Sequence, residues 1–339
     1  MYITTATKFL ELQTMPTKTT VLHALAFNGE GGASPIEDEK IAEMLSSDTL
    51  TWVHLDANQS NTRSWFSSYA AELDSLIVEA LLAEETRPRM LEHEDGVLLI
   101  LRGVNLNLNA APEDMVSIRL WIDTKQIISV RLRKLKAVTE IVENLKIGKG
   151  PTDAGDFIAE LARRLFDRME PVFSSLEEEL DDLEESVMES PDACLRLGIT
   201  QIRKQSIIFH RYISPQKEVI SSLRLSKQPW LGHRQRRDLQ ETLNKIIRYL
   251  EDIEIVRERA HIIKDELTNT LSEKINRNLY FFSVIAAIFL PLGFLTGLLG
   301  VNVGGIPGAN NPAAFVIFSS ILVAVVTLQV AIFKWLKWF

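Results

Sequence analysis

Few residues in this 339-residue chain combine types and spacings that could do chemistry, and the most suggestive of them are uncharged. Near the C-terminus, Gly300-Val301-Asn302 ends an apolar run and is followed by Val303-Gly304-Gly305-Ile306-Pro307-Gly308. Glycine at such a place lets backbones approach closely and turn sharply. The Asn302 amide oxygen accepts hydrogen bonds. A ring of such amides could hold the hydration waters of a cation, whereas a carboxylate ring could strip them. Counting back from Gly300 by three or four residues gives Gly297, Gly293, Leu290, Ala286, Ser283, Leu279 and Asn276. That helical stripe is small or polar except at its two leucines. It reads either as a close helix–helix contact of the small-xxx-small type, through Gly293 and Gly297, or as the wall of a conduit with two apolar constrictions. Pro291 lies within the same run and frees a carbonyl near Ala287.

Other candidate ligands are weaker. Leu91-Glu92-His93-Glu94-Asp95 gathers possible zinc donors, but reads more simply as a polar turn before a strand. His210, His233 and His261 stand isolated. Arg87 and Arg89 flank Pro88 and are expected to hold a turn by ion pairs. The acidic run 177–185 reads first as the solvated face of a helix and second as a cation-attracting surface. Cys194, the single cysteine, excludes an internal disulfide and any CxxC metal site, and is expected as a small apolar residue on a helix. No catalytic triad, P-loop or dinucleotide fingerprint is visible, so no enzymatic activity and no cofactor are expected. The formal net charge of −8 argues against a nucleic-acid partner.

The elements that must position the stripe are legible from hydropathy. Residues 279–299 and 313–333 are two runs without Asp, Glu, Lys, Arg or His. Each is about 20 residues long, enough to cross ~30 Å of hydrocarbon. The connection 300–312 is uncharged, whereas Lys274, Arg277, Lys334 and Lys337 flank the pair on its outer side. The positive-inside rule therefore places both ends in the cytoplasm, with Trp335, Trp338 and Phe339 at the lipid interface. Upstream, residues 233–290 contain neither glycine nor proline. Apolar residues recur there every three or four positions from Leu239 to Ile275. One helix of about 60 residues would run into the first span. Its stripe must be covered by the preceding helices or by copies of itself.

The N-terminal half has a different pattern. After an extension (1–20), residues 21–150 read as an α/β domain. Strands are expected at 21–27, 50–56, 96–106, 115–121 and 127–132, the last two forming a hairpin around Asp123–Gln126. Helices are expected at 36–47, 60–69 and 73–84. Gly148-Lys149-Gly150-Pro151 marks a boundary. Residues 151–277 form a helical domain, with one helix from Phe157 to Val187, another starting at Pro191 and breaking near 226–230, and then the long helix. Residues 278–339 form the membrane domain.

Two C-terminal spans, the first ending in Gly-x-Asn and the second followed by a basic aromatic tail, resemble the CorA family of divalent-cation transporters. The long helix and the strand-rich N-terminal domain fit as well, so the resemblance covers nearly the whole chain. Val301 stands where the best-known magnesium members carry Met. The run 300–308, together with 85–89, 102–107 and 112–117, is instead similar to the ZntB-like zinc transporter branch. The resemblance implies an α+β cytoplasmic domain, long helices, and a homopentamer with a funnel and a central pore made by the first spans. It places Asn302 and the Gly300 carbonyl at the periplasmic mouth. It further implies inner-membrane transport of zinc, proton-coupled, as the reading to test against a magnesium channel and a membrane-anchored scaffold or sensor.

Overall fold

The computed structural model describes residues 20–93, 96–301, 306, 308 and 311–335. The N-terminal half builds one seven-stranded mixed sheet. Its strands are β1 (Val21–Phe27), β2 (Ala33–Pro35), β3 (Thr51–Asp56), β4 (Arg89–His93), β5 (Gly96–Gly103), β6 (Val116–Ile122) and β7 (Gln126–Arg131), in the order β2-β1-β3-β7-β6-β5-β4. Every neighbouring pair is antiparallel except β3 and β7 at the centre, where Thr51 to Asp56 lie opposite Gln126 to Arg131. Central strands carry near-continuous apolar runs because both faces are covered.

Side-chain alternation sends Val53, Leu55, Leu98, Trp121, Ile128 and Val130 to one face. There they pack with Trp65 and Phe66 of α2 (Thr62–Tyr69) and with Ile77 and Leu81 of α3 (Ser75–Leu82). The short α1 (Ile41–Leu45) completes this layer through Ile41 and Leu45. The other face presents Trp52, whose ring meets Phe157 edge-on at 4.7 Å. Phe157 belongs to α5 (Ala154–Asp167), which follows α4 (Lys136–Lys146). The start of α5 is set locally, because the Asp153 carboxylate accepts from the Asp156 amide at 2.7 Å.

The sequence reading and the structure differ at five elements as far as Glu189. β2 and β4 are short or polar edge strands without the apolar alternation that would announce them. The helix expected over 36–47 is a 3₁₀ turn (Asp38–Lys40) running into α1. α4 follows the hairpin where no element was expected. The helix expected from Phe157 to Val187 is two helices, α5 and then α6 (Glu170–Glu189).

α7 (Leu195–Leu225) and α8 (His233–Leu299) follow, and α9 (Ala314–Trp335) ends the chain. Phe173 of α6 touches Phe209 of α7 and Tyr249 of α8 edge-on, at 5.2 and 5.3 Å, so three helices share one aromatic knot. α8 has 67 residues, about 100 Å at 1.5 Å per residue. Its stripe is buried at Leu239, Ile246, Ile253, Ala260 and Leu267, then emerges, with Ile275 and Leu279 each 58% exposed. The chain divides into two compact units: residues 1–186 with 194–264, and 187–193 with 265–339.

Candidate pore-lining helix and its partner span

Both apolar runs form helices long and apolar enough to cross a bilayer, the C-terminal part of α8 and the whole of α9. On α8 the less exposed side passes through Val284, Ala287, Ile288, Pro291 and Leu295. Among these, Ala287 is reached by α9, since Gln329 Nε2 donates to the Ala287 carbonyl oxygen at 3.2 Å. Ala287 is the residue four before Pro291, whose missing N–H would have donated to that oxygen. The break in the ladder is therefore closed by the neighbouring helix, which is how a membrane helix tolerates proline. Sequence reasoning found the orphaned carbonyl but not its donor. A lone amide side chain in an uncharged run was the available signal, because an amide there needs a partner.

The stripe Asn276, Leu279, Ser283, Ala286, Leu290, Gly293, Gly297 and Gly300 is exposed along its length. A Cβ built at Gly293 or Gly297 would meet nothing within 4 Å. Close packing of α8 on α9 of the same chain is therefore not what these glycines serve. Gly293 does border an apolar groove with Leu322, Val323 and Val326 of α9. The hydroxyls on this helix turn inward: Ser283 Oγ donates to the Leu279 oxygen at 2.8 Å, and Thr296 Oγ1 to Leu292 at 2.9 Å. A stripe with its hydroxyls satisfied offers backbone and small side chains, with no fixed charge, to whatever lies against it. At the end of the helix the Gly300 amide bonds the Thr296 oxygen at 2.9 Å, and a Cβ at Gly300 would sit 2.7 Å from that oxygen. Val301 follows, 49% exposed. Asn302 lies outside the described residues.

The weaker candidates resolve individually. His93 is on edge strand β4, paired with Gly96, with Nε2 4.0 Å from Asp74 Oδ2. It thus lies on a strand and not in the expected turn, while Glu94 and Asp95 lie outside the described residues. Among the described residues no group of three or more His, Cys, Asp or Glu could hold a metal. His210 borders a groove with Glu251 and Glu254, and His233 opens α8. Cys194 is exposed at the N-terminal cap of α7 and not within a helix. The acidic run is partly paired: Arg259 bridges Asp181, at 2.7 Å, and Glu184. Glu177, the first residue of the run, and Asp252 of α8 are pushed above the usual carboxylate range, each chiefly by burial. Contrary to expectation, neither Arg87 nor Arg89 forms an ion pair among the described residues.

The profile of the CorA-like Mg2+ transporter proteins matches residues 47–335. The chain belongs to the CorA family. Within it, the chain is 38% identical to the zinc transport protein ZntB of Pectobacterium carotovorum over 305 residues, covering 90% of this chain and 92% of that one. It is 36% identical to the divalent cation transporter CmaX of Pseudomonas aeruginosa over 325 residues, covering 94% and 96%. The structure of full-length CmaX superposes with a TM-score of 0.82 over 94% of this chain and 98% of that one. The CorA magnesium transporter of Methanocaldococcus jannaschii, at 18% identity and a TM-score of 0.77 over 92% and 98%, shares the fold. The CorA fold thus accounts for the mixed sheet, the long α8 and the paired apolar helices at the C-terminus.

Proposed function

We propose that this CorA-family chain is the subunit of a homopentameric pore that carries divalent metal cations, zinc foremost, across the bacterial inner membrane. Both termini lie in the cytoplasm, and lipid surrounds the two spans. On this reading residues 21–150 and 151–277 form the cytoplasmic α/β and funnel domains, and 278–339 the membrane domain. The observation that carries the proposal is the exposed, uncharged stripe from Asn276 to Gly300 on the side of α8 away from the Gln329 contact. Copies of that stripe, arranged around an axis, would line a conduit that presents carbonyls and small side chains to a hydrated ion. Leu279 and Leu290 would be its constrictions, and Gly300, Val301 and Asn302 its outer mouth. The names of ZntB and CmaX support a divalent cargo and favour zinc. Magnesium is the second reading, favoured by the family description. A membrane-anchored scaffold would need neither the glycine stripe nor the Gly-x-Asn end.

Flux into proteoliposomes, measured side by side for Zn2+, Mg2+, Co2+ and Ni2+, tests the proposal. Zinc is expected to enter fastest, and Asn302→Ala is expected to reduce entry by about ten-fold or more with assembly intact. Fastest entry by magnesium would assign the second reading. No flux of any of the four metals would leave only the scaffold, and wild-type flux in Asn302→Ala would remove that residue from the mouth.

A further inference from the structure

Segments distant in sequence, unrelated to the membrane stripe, meet beside the sheet. Residues 84–87 follow α3, Arg102 lies on β5, residues 114–117 lead into β6, and Arg211 and Tyr212 belong to α7. Between them is a cleft of ≈ 460 Å3, within the range of roughly 300–1,000 Å3 common for small-molecule sites. Four arginines border it, Arg87, Arg102, Arg133 and Arg211, in a chain whose net charge is −8.

Of these, Arg133 is neutralised by Asp114. The other three have no carboxylate partner among the described residues. Arg102 stacks on Tyr212 with its guanidinium carbon 4.3 Å from the ring centroid. It donates from Nε and Nη2 to the Thr86 oxygen, at 3.1 and 2.7 Å, and from Nη1 to the Met115 oxygen at 2.8 Å. Arg211 lies 4.8 Å from the same ring and donates to Tyr212 Oη at 2.8 Å. Arg87 is exposed on the cleft wall. Behind Arg102 sits Arg119, 0% exposed. The register, with Arg102 opposite Ser117 and Ile100 opposite Arg119, puts Arg119 one pair further along the same face. Its Nη2 donates to the Glu84 oxygen at 3.2 Å, while Nε and Nη1 have no partner among the described residues. Thr86 Oγ1, buried in the cleft wall, has none among the described residues either. Burial and the neighbouring Arg102 push Arg119 down to about 10. A buried guanidinium beside a second, half-buried one, with no carboxylate paired to either among the described residues, is costly, and an anion in the cleft would offset that cost.

We propose that this cleft binds a small, multiply charged oxyanion of the phosphate or diphosphate class, held by Arg87, Arg102 and Arg211. Planar guanidinium forks match phosphate oxygens two at a time, and the volume admits more than a single phosphate. Glu84, Glu85 and Asp114 also border the cleft. They limit its net positive charge and favour a compact free ligand over an extended anionic surface such as a lipid headgroup layer.

The test uses full-length protein in a neutral detergent and metal-free buffer, titrated calorimetrically with inorganic pyrophosphate. Saturable binding is expected, weakened about ten-fold or more in Arg87→Gln and in Arg211→Gln. Both side chains are exposed, so neither substitution endangers folding as Arg102→Gln could. Absence of saturable binding, or affinity unchanged in both variants, overturns the proposal. So does association seen only with phosphatidylglycerol vesicles and not with pyrophosphate, which would assign the arginines to a membrane surface.

Discussion

His54 shows how far a single residue departs from what its type suggests. It sits fully buried on β3, its Nδ1 2.7 Å from the Ser129 hydroxyl, and that hydroxyl accepts from Trp52 Nε1 at 2.8 Å. Its Nε2 has no partner among the described residues, and its ring stacks against His23 at 6.0 Å. Burial lowers its pKa from 6.5 to about 3, with Arg131 and His23 adding repulsion. A depressed histidine binds fewer protons folded than unfolded. Its contribution is therefore complete above pH 6.5 and is lost as pH falls from 6.5 toward the folded value. We expect the stability of the wild type relative to His54→Asn to shrink by about 1.4 kcal/mol per pH unit below 6.5. Denaturant midpoints from pH 8 to pH 5 check this, and parallel profiles would refute it. None of this was readable from sequence, where His54 is an ordinary polar residue in an apolar strand. Likewise Arg87 and Arg102 stood out in short motifs, but only folding showed that those motifs converge on one cleft.

At the scale of the element, α8 is the most instructive. Its unbroken 3.6-residue periodicity made the helix readable over its whole length. The stripe alone left open what covers it. The chain itself does so as far as Leu267, so the case for association rests on the exposed part from Ile275 onward. The Pro291 defect is a local problem with a neighbour's solution. Gln329→Leu leaves the Ala287 carbonyl unpaired in an apolar setting, and is expected to cost about 1 kcal/mol. In Pro291→Ala the restored N–H can reach Ala287, so the same Gln329→Leu change should then cost far less. A double-mutant cycle on unfolding in detergent measures this, and additive effects would show that the two residues are not coupled.

For the whole molecule, the argument concerns symmetry and driving force. The exposed stripe needs partners, and a C5 ring is the assembly proposed. Native mass measurement in mild detergent is expected to give five chains, and a transport-competent monomer or dimer would exclude the ring. Between Asn278 and Phe333 no Asp, Glu, Lys, Arg or His occurs, and Tyr280 lies near one end. A proton relay normally needs a titratable group within the membrane. The potential alone supplies about 2.3 kcal/mol per charge per 100 mV, hence roughly twice that for a divalent ion. Any proton coupling would then act through water in the proposed pore or through carboxylates of the proposed funnel such as Glu177 and Asp252, both raised chiefly by burial. With the potential clamped at zero, an imposed pH gradient is expected to drive uptake if those groups couple. Uptake that follows voltage alone would make the protein a passive channel.

The elements legible in advance were those whose signal is local and periodic. The two spans, the long helix and the central strands are each written in consecutive residues, because hydropathy and helical periodicity act over a few positions. The edge strands β2 and β4 escaped notice, since a polar strand is held by its neighbour's backbone and not by its own pattern. Tertiary structure alone decided three things: that Gln329 meets Ala287, that the glycine face of α8 turns away from that contact, and that Arg102, Arg119 and Arg211 converge. Each depends on residues from distant segments, separated by 42 positions in the first case and by more than 90 between Arg119 and Arg211. Such contacts arise from packing one element on another, a constraint that no local stretch of sequence contains.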